Sequence, residues 1–145
     1  MNTGKTGIGR FFKGFVYAFE GIVSCIKTER NMRFHIGVAV LVILLMRFYG
    51  LSAAETAAVY ICIGLVISLE LVNTAVEAAV DMACKDKNPL AKKAKDCAAG
   101  AVLIAAVASV AVGIRIFWDY YAFMWLVWVF KTPADKDKKD KEKYI

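Results

Sequence analysis

Histidine is almost missing from this sequence: His35 is the only one. The four cysteines, Cys25, Cys62, Cys84 and Cys97, contain no C-x-x-C pair. A zinc site or a disulfide framework needs such donors clustered or regularly spaced, so neither is read here and the thiols are expected to be plain small side chains. A glycine-rich phosphate loop is also lacking. Gly4-Lys5-Thr6 resembles only the end of one, without the G-x-x-x-x-G-K-[ST] spacing or a strand leading into it. No cleavable leader is expected, because Arg10, Lys13 and Glu20 interrupt the first apolar run. Charge is absent from long stretches; it gathers at the start, around 82–96 and after 131.

What remains is grease. Of 145 residues 59% are apolar and 22% charged, with a mean hydropathy of +0.53. An ordinary soluble domain is about 45–50% apolar, and a chain this short has too little interior to hide the excess. General disorder and a water-facing globule are both excluded, which leaves an all-α integral membrane protein. The net charge of +6 does not argue for nucleic acid, because the basic residues flank apolar segments, where they set orientation and meet anionic headgroups.

Residues 8–26 place Ile8, Phe11, Phe12, Phe15, Val16, Phe19, Ile22, Val23 and Ile26 at steps of three and four, with Arg10, Lys13, Glu20 and Lys27 elsewhere. That pattern predicts an amphipathic helix lying in the headgroup plane. Three crossings are predicted next, over residues 34–49, 53–81 and 97–117, with a short turn at Gly50-Leu51-Ser52. The third is rich in Ala and Gly, which lets helices approach closely in lipid. Residues 1–33 carry six Lys and Arg and the 82–96 loop five Lys, so both are expected in the cytoplasm. The division is residues 1–30 as surface helix, 31–118 as the membrane unit, and 119–145 as an aromatic interfacial segment followed by a charged, disordered tail.

Inside the second crossing stand Glu70, Asn73, Glu77 and Asp81. At ~100° per residue they share an arc of about 80°. Ionisable groups in a spanning helix cost about 2.5–3.5 kcal/mol each, so this face needs a cation, a metal ion or water. Three readings stay open: a structural network, a proton or ion relay, and a phosphotransfer site in which acids hold Mg2+ and a lysine holds phosphates. Lys92, Lys93, Lys95 and Asp96 before the third crossing, and Glu29 before the first, favour the last.

The run Glu70-Leu71-Val72-Asn73-Thr74-Ala75-Val76-Glu77-Ala78-Ala79-Val80-Asp81 resembles the E-x-x-N-[ST]-[SA]-[LIV]-E-x-x-[VA]-D signature of the prokaryotic diacylglycerol kinase family. The likeness covers residues 7 to about 117 and includes Arg10-Phe11-Phe12-Lys13, Thr28-Glu29-Arg30-Asn31 and Ala91-Lys92-Lys93-Ala94-Lys95-Asp96. The resemblance implies a homotrimeric bundle, each subunit with three crossings and a surface helix, that moves the γ-phosphate of ATP to a lipid alcohol with Mg2+. It further implies Glu70 as the base that takes the hydroxyl proton and Glu29 and Glu77 as metal ligands. Lys95, Asp96, Arg10 and Tyr17 would contact the nucleotide, with Asn73 ordering the network.

Members of that family act on diacylglycerol or on undecaprenol. The stretches Thr28 to His35 and Asn88 to Lys92 look more like the undecaprenol type, with His35 where the diacylglycerol type has an acid. Undecaprenol is therefore the expected acceptor and diacylglycerol the alternative. The rival of another class is a non-enzymatic membrane adaptor or ion relay that uses the acids for assembly.

Overall fold

A computed structural model of the chain describes residues 7–142. Among the described residues the structure is wholly helical, with four helices. Helix α1 (Gly7–Thr28) keeps its apolar side uncovered, with Phe12, Phe15 and Phe19 each more than 60% exposed. It ends without glycine or proline. The Thr28 hydroxyl donates to the Ser24 carbonyl at 3.2 Å, Glu29 is extended, and Nη1 of Arg33 donates to the Lys27 carbonyl at 2.9 Å. These bonds occupy carbonyls that a helix end otherwise leaves open.

Helix α2 (Arg30–Tyr49) closes on Gly50 in the left-handed conformation, φ 54°. Helix α3 (Ala53–Ala83) starts at once with a reciprocal cap: the Ser52 hydroxyl accepts from Glu55 N, and Ser52 N donates to Glu55 Oε2 at 2.9 Å. Helix α4 (Pro89–Glu142) is capped by Asn88, whose Oδ1 accepts from Leu90 N at 2.8 Å, with Pro89 in the first-turn place that proline favours.

Three segments are long and apolar enough to cross a bilayer: Arg30–Tyr49, Ala53–Ala83 and Pro89–Trp118. Helix α3 packs chiefly on α4 and less extensively on α2. Met46, Val59 and Ile116 form a small core near the Gly50 turn. Phe34, Phe48, Ile61 and Ile104 stand 67% to 84% exposed. In water that outer face would be a liability, whereas lipid tails solvate it.

Two expectations are corrected. Lys92, Lys95 and Asp96 stand on the first turns of α4 rather than in a loop, because the Asn88 cap starts the helix early. The backbone of α4 is also helical through Glu142, where a disordered tail is expected from sequence. No glycine or proline follows Gly113 before Pro133, so nothing in the chain stops the helix at the aromatic run. Residues 143–145, and 1–6 at the other end, lie outside the described residues.

Candidate functional site

The arc foreseen on α3 is where the structure buries its polar groups. Glu70 is 3% exposed and Asn73 6%; Glu77 is half-buried and Asp81, nearest the loop, is exposed. The length of α3 bears on where this face would sit in a bilayer. At ~1.5 Å per residue the 31 residues of α3 span about 46 Å, against a ~30 Å hydrocarbon core. A helix that starts at the boundary beside the Gly50 turn would use up that core by about residue 73, which would set Glu70 near the opposite headgroup layer.

Asn73 is fixed by its own helix: Nδ2 donates to Glu77 Oε1 at 3.0 Å. Its Oδ1 is buried with no partner. The Thr74 hydroxyl donates to the Glu70 carbonyl at 3.0 Å and lies 3.3 Å from Cys25 Sγ, which ties the last turns of α1 to α3. Glu29, at the break between α1 and α2, has its Oε1 3.0 Å from the Thr28 hydroxyl and competes with the Ser24 carbonyl for its one proton. Glu70 is within electrostatic reach of His35, Glu77 and Glu29. Four groups from α2, α3 and the α1–α2 junction therefore converge, three carboxylates with one imidazole.

Among the described residues no three His, Cys, Asp or Glu side chains are close enough together to form a metal cage. Magnesium does not require one. It binds through one or two carboxylates, keeps several waters and takes further oxygens from substrate phosphates. An orphaned buried amide oxygen on Asn73 beside the Glu77 carboxylate is a hard oxygen donor set of the kind that suits it.

At the loop end, Lys95 of α4 pairs with Asp81 of α3, and Lys92 pairs with Asp96 one turn on. These four residues, with Lys85 and Asn88, border an open cleft of about 580 Å3. Exposed ion pairs contribute only about 0–1 kcal/mol, so either lysine can exchange its carboxylate for a phosphate at little cost. Arg10 and Tyr17 are not brought into this group. Both are exposed on α1, about 28 Å and 18 Å along the chain from Glu29 if the helix is followed residue by residue.

Sequence reasoning missed the Cys25–Thr74 contact and the Arg33 bond that sets the chain break at Glu29. Thr74 carries a weak signal, four residues after Glu70 and so on the same face; Cys25 and Arg33 carry none. A second, apolar groove runs between α2, α3 and α4 with His35 at one end.

A family model described as prokaryotic diacylglycerol kinase matches residues 16–117. An undecaprenol kinase of Bacillus subtilis is 46% identical over 113 residues, covering 78% of this chain and 92% of that enzyme. A diacylglycerol kinase of Synechocystis is 45% identical over 100 residues, 68% of this chain and 57% of that protein. The diacylglycerol kinase of Escherichia coli K12 is 29% identical over 122 residues, 83% and 99% of the two chains.

Proposed function

The chain belongs to the prokaryotic diacylglycerol kinase family, and from that premise we propose that it is a membrane lipid kinase that transfers the γ-phosphate of ATP to undecaprenol, giving undecaprenyl phosphate. The observation that carries this reading is the buried carboxylate of Glu70, within electrostatic reach of His35, Glu77 and Glu29. The 46% identity to an undecaprenol kinase supports the choice of acceptor.

Glu70 accepts the proton of the lipid hydroxyl as its oxygen bonds to the γ-phosphorus. The bond from that phosphorus to the bridging β–γ oxygen breaks in line, and ADP leaves. Phosphoryl transfer asks mainly for positioning and charge neutralisation. Glu29 and Glu77 would hold Mg2+, with the unpartnered Asn73 Oδ1 as a further oxygen donor. When bound, the ion supplies positive charge beside the phosphate oxygens. Asn73 keeps Glu77 pointed through its 3.0 Å bond. Lys95, released from Asp81, is placed to neutralise phosphate oxygens from the first turns of α4, and Asp96 and Lys92 border the same cleft. Arg10 and Tyr17, which this chain does not bring to its own Lys95 and Asp96, would meet a nucleotide only at the site of a neighbouring subunit.

We place this unit, residues 31–118 with the surface helix 1–30, in a homotrimer in the bacterial plasma membrane. The excess of basic residues in 1–33 and between 85 and 95 favours the cytoplasmic side for the site. The exposed apolar faces of all three crossings leave ample surface for packing between subunits. A second reading, diacylglycerol as acceptor, is favoured by the 45% identity to a diacylglycerol kinase. One assay separates the readings. Purified protein in vesicles receives Mg2+ and γ-labelled ATP with undecaprenol or with diacylglycerol. Label in undecaprenyl phosphate is the expected result. Label only in phosphatidic acid selects the second reading, and label in neither lipid rejects both in favour of a non-enzymatic role.

A further inference from the structure

The short Gly50 turn makes α2 and α3 antiparallel neighbours, and their buried residues fix the register between them. Met46 of α2 and Val59 of α3 share the small core beside that turn. Stepping seven residues away from each, about two turns of helix, sets Ala39 level with Val66 and then Met32 level with Asn73. All six are buried. Val42 and Ile63, between the first two levels, both pack against that core, as the same register requires. Between the last two levels stand His35, three residues after Met32, and Glu70, three before Asn73. The repeat therefore sets the imidazole of α2 and the carboxylate of α3 in one layer of the interface.

Burial and charge agree with that register. Glu70 is 3% exposed, while His35 is half-buried and lines the apolar groove beside Val66 and Ile67, one turn before Glu70. The two groups act on each other electrostatically. A buried carboxylate that is to take a proton must be held charged and held still, which calls for a hydrogen-bond donor. The donors beside it on α3 are committed: Asn73 Nδ2 to Glu77, and the Thr74 hydroxyl to the Glu70 backbone carbonyl. Ser109, the hydroxyl that α4 adds to the groove wall, donates to the Ala105 carbonyl. His35 is not committed. Its ring meets Phe34 edge-on with centroids 5.8 Å apart, and among the described residues no hydrogen bond occupies either nitrogen. An imidazole carries at least one N–H whether neutral or charged, so this donor does not depend on the titration of His35.

We infer that His35 is a positioning residue for the transfer, its ring N–H donating to one oxygen of the Glu70 carboxylate so that the other oxygen faces the lipid hydroxyl. This role rests on the kinase reading, with Glu70 as base, and adds to it what orients that base. The bond closes as the reactants bind, since catalytic hydrogen bonds are often long until then. Glu29 and Glu77, the other side chains acting on Glu70, cannot replace it, because an ionised acid has no proton to donate. The lipid proton still goes to Glu70, and His35 neither gives nor takes one.

The test uses the full chain in vesicles with Mg2+, ATP and whichever of undecaprenol and diacylglycerol the unsubstituted chain phosphorylates. His35→Phe keeps a ring against Phe34 but has no N–H. His35→Gln gives up the ring and keeps a donor. For His35→Phe, kcat is expected to fall about 10–100-fold, as when a group that orients a ligand is lost, with KM for ATP and lipid unchanged. His35→Gln is expected to retain most of kcat. His35→Ala removes the donor without added bulk and should match His35→Phe, so the comparison stands even where the larger ring disturbs packing. A purely structural histidine reverses the order, with Phe tolerated and Gln not. That reversal, an undiminished kcat in His35→Ala, an equal loss in Ala and Gln, or a loss confined to KM for the lipid each overturns the positioning role and leaves the kinase reading standing. Absence of lipid phosphorylation by the unsubstituted chain overturns both together.

Discussion

Asn73 donates from Nδ2 to Oε1 of Glu77 at 3.0 Å, and its own Oδ1 is left buried without a partner. A buried, unmatched acceptor costs about 1–3 kcal/mol, a cost relieved when a cation enters beside it. Asn73→Ala removes the orphan and frees Glu77 at once. We expect the substituted protein to be no less stable in the absence of metal but to need about ten- to hundredfold more Mg2+ for half-maximal activity, the usual effect of losing a group that orients a ligand. Titrating activity against Mg2+ alongside thermal unfolding in chelator checks both halves; an unchanged Mg2+ requirement removes Asn73 from the site.

Glu70 lies 3% exposed, within electrostatic reach of His35, Glu77 and Glu29. Glu70→Gln keeps shape and burial and removes the proton acceptor. The expected outcome is a fall in kcat of about 10²–10⁴ with ATP and lipid KM nearly constant, since general base catalysis contributes about that much. Initial rates over both substrates measure it. A matched rise in lipid KM with kcat preserved would make Glu70 a binding group instead.

Lys95 reaches across from α4 to Asp81 on α3, and the two are exposed enough for the pair to add little stability. Lys95→Ala is expected to raise KM for ATP about tenfold with the unfolding temperature unchanged, since a charge-assisted bond to phosphate is worth about 1.5–3 kcal/mol. Asp81→Asn should leave KM for ATP equal or lower, because it releases the lysine. Nucleotide kinetics on the two variants distinguish a phosphate-binding lysine from a structural one, for which both substitutions act alike.

The polar face of α3 was legible in the sequence because a helix of fixed pitch turns the spacing of Glu70, Asn73 and Glu77 directly into an arc, and burial follows from the surrounding apolar run. The placement of Glu29 beside that arc was not legible from periodicity. It depends on a chain break that no glycine or proline announces, made by Thr28 folding back on Ser24 and Arg33 reaching Lys27. The contact of Cys25 with Thr74 spans 49 positions and leaves no mark on local pattern. Lys92 to Asp96 read as loop because charge outweighed the shorter signal of Asn88-Pro89, a cap and a first-turn proline. The continuation of α4 past Trp118 went unseen because an aromatic run carries no stop signal, and its Lys and Glu successors form helix readily.

The Gly50 turn with its Ser52 cap and the proposed site lie at opposite ends of α3, and that separation can be measured. Gly50 holds φ 54°, a conformation that costs a residue with a Cβ about 1–2 kcal/mol, and the Ser52 cap on Glu55 contributes about 1 kcal/mol. Gly50→Ala and Ser52→Ala should therefore lower the unfolding temperature while leaving kcat and Mg2+ dependence intact, since neither touches Glu29, Glu70 or Glu77. Arg33→Ala should cost about 0.5–1.5 kcal/mol for the hydrogen bond it loses, yet it acts on the break that positions Glu29. For that variant alone the Mg2+ requirement should rise along with the stability loss. Thermal unfolding in detergent and Mg2+ titration of the three variants test this directly. If Gly50→Ala shifts the Mg2+ requirement as far as Arg33→Ala does, the two ends are coupled, and Glu29 is positioned by the packing of the whole bundle rather than by its own junction.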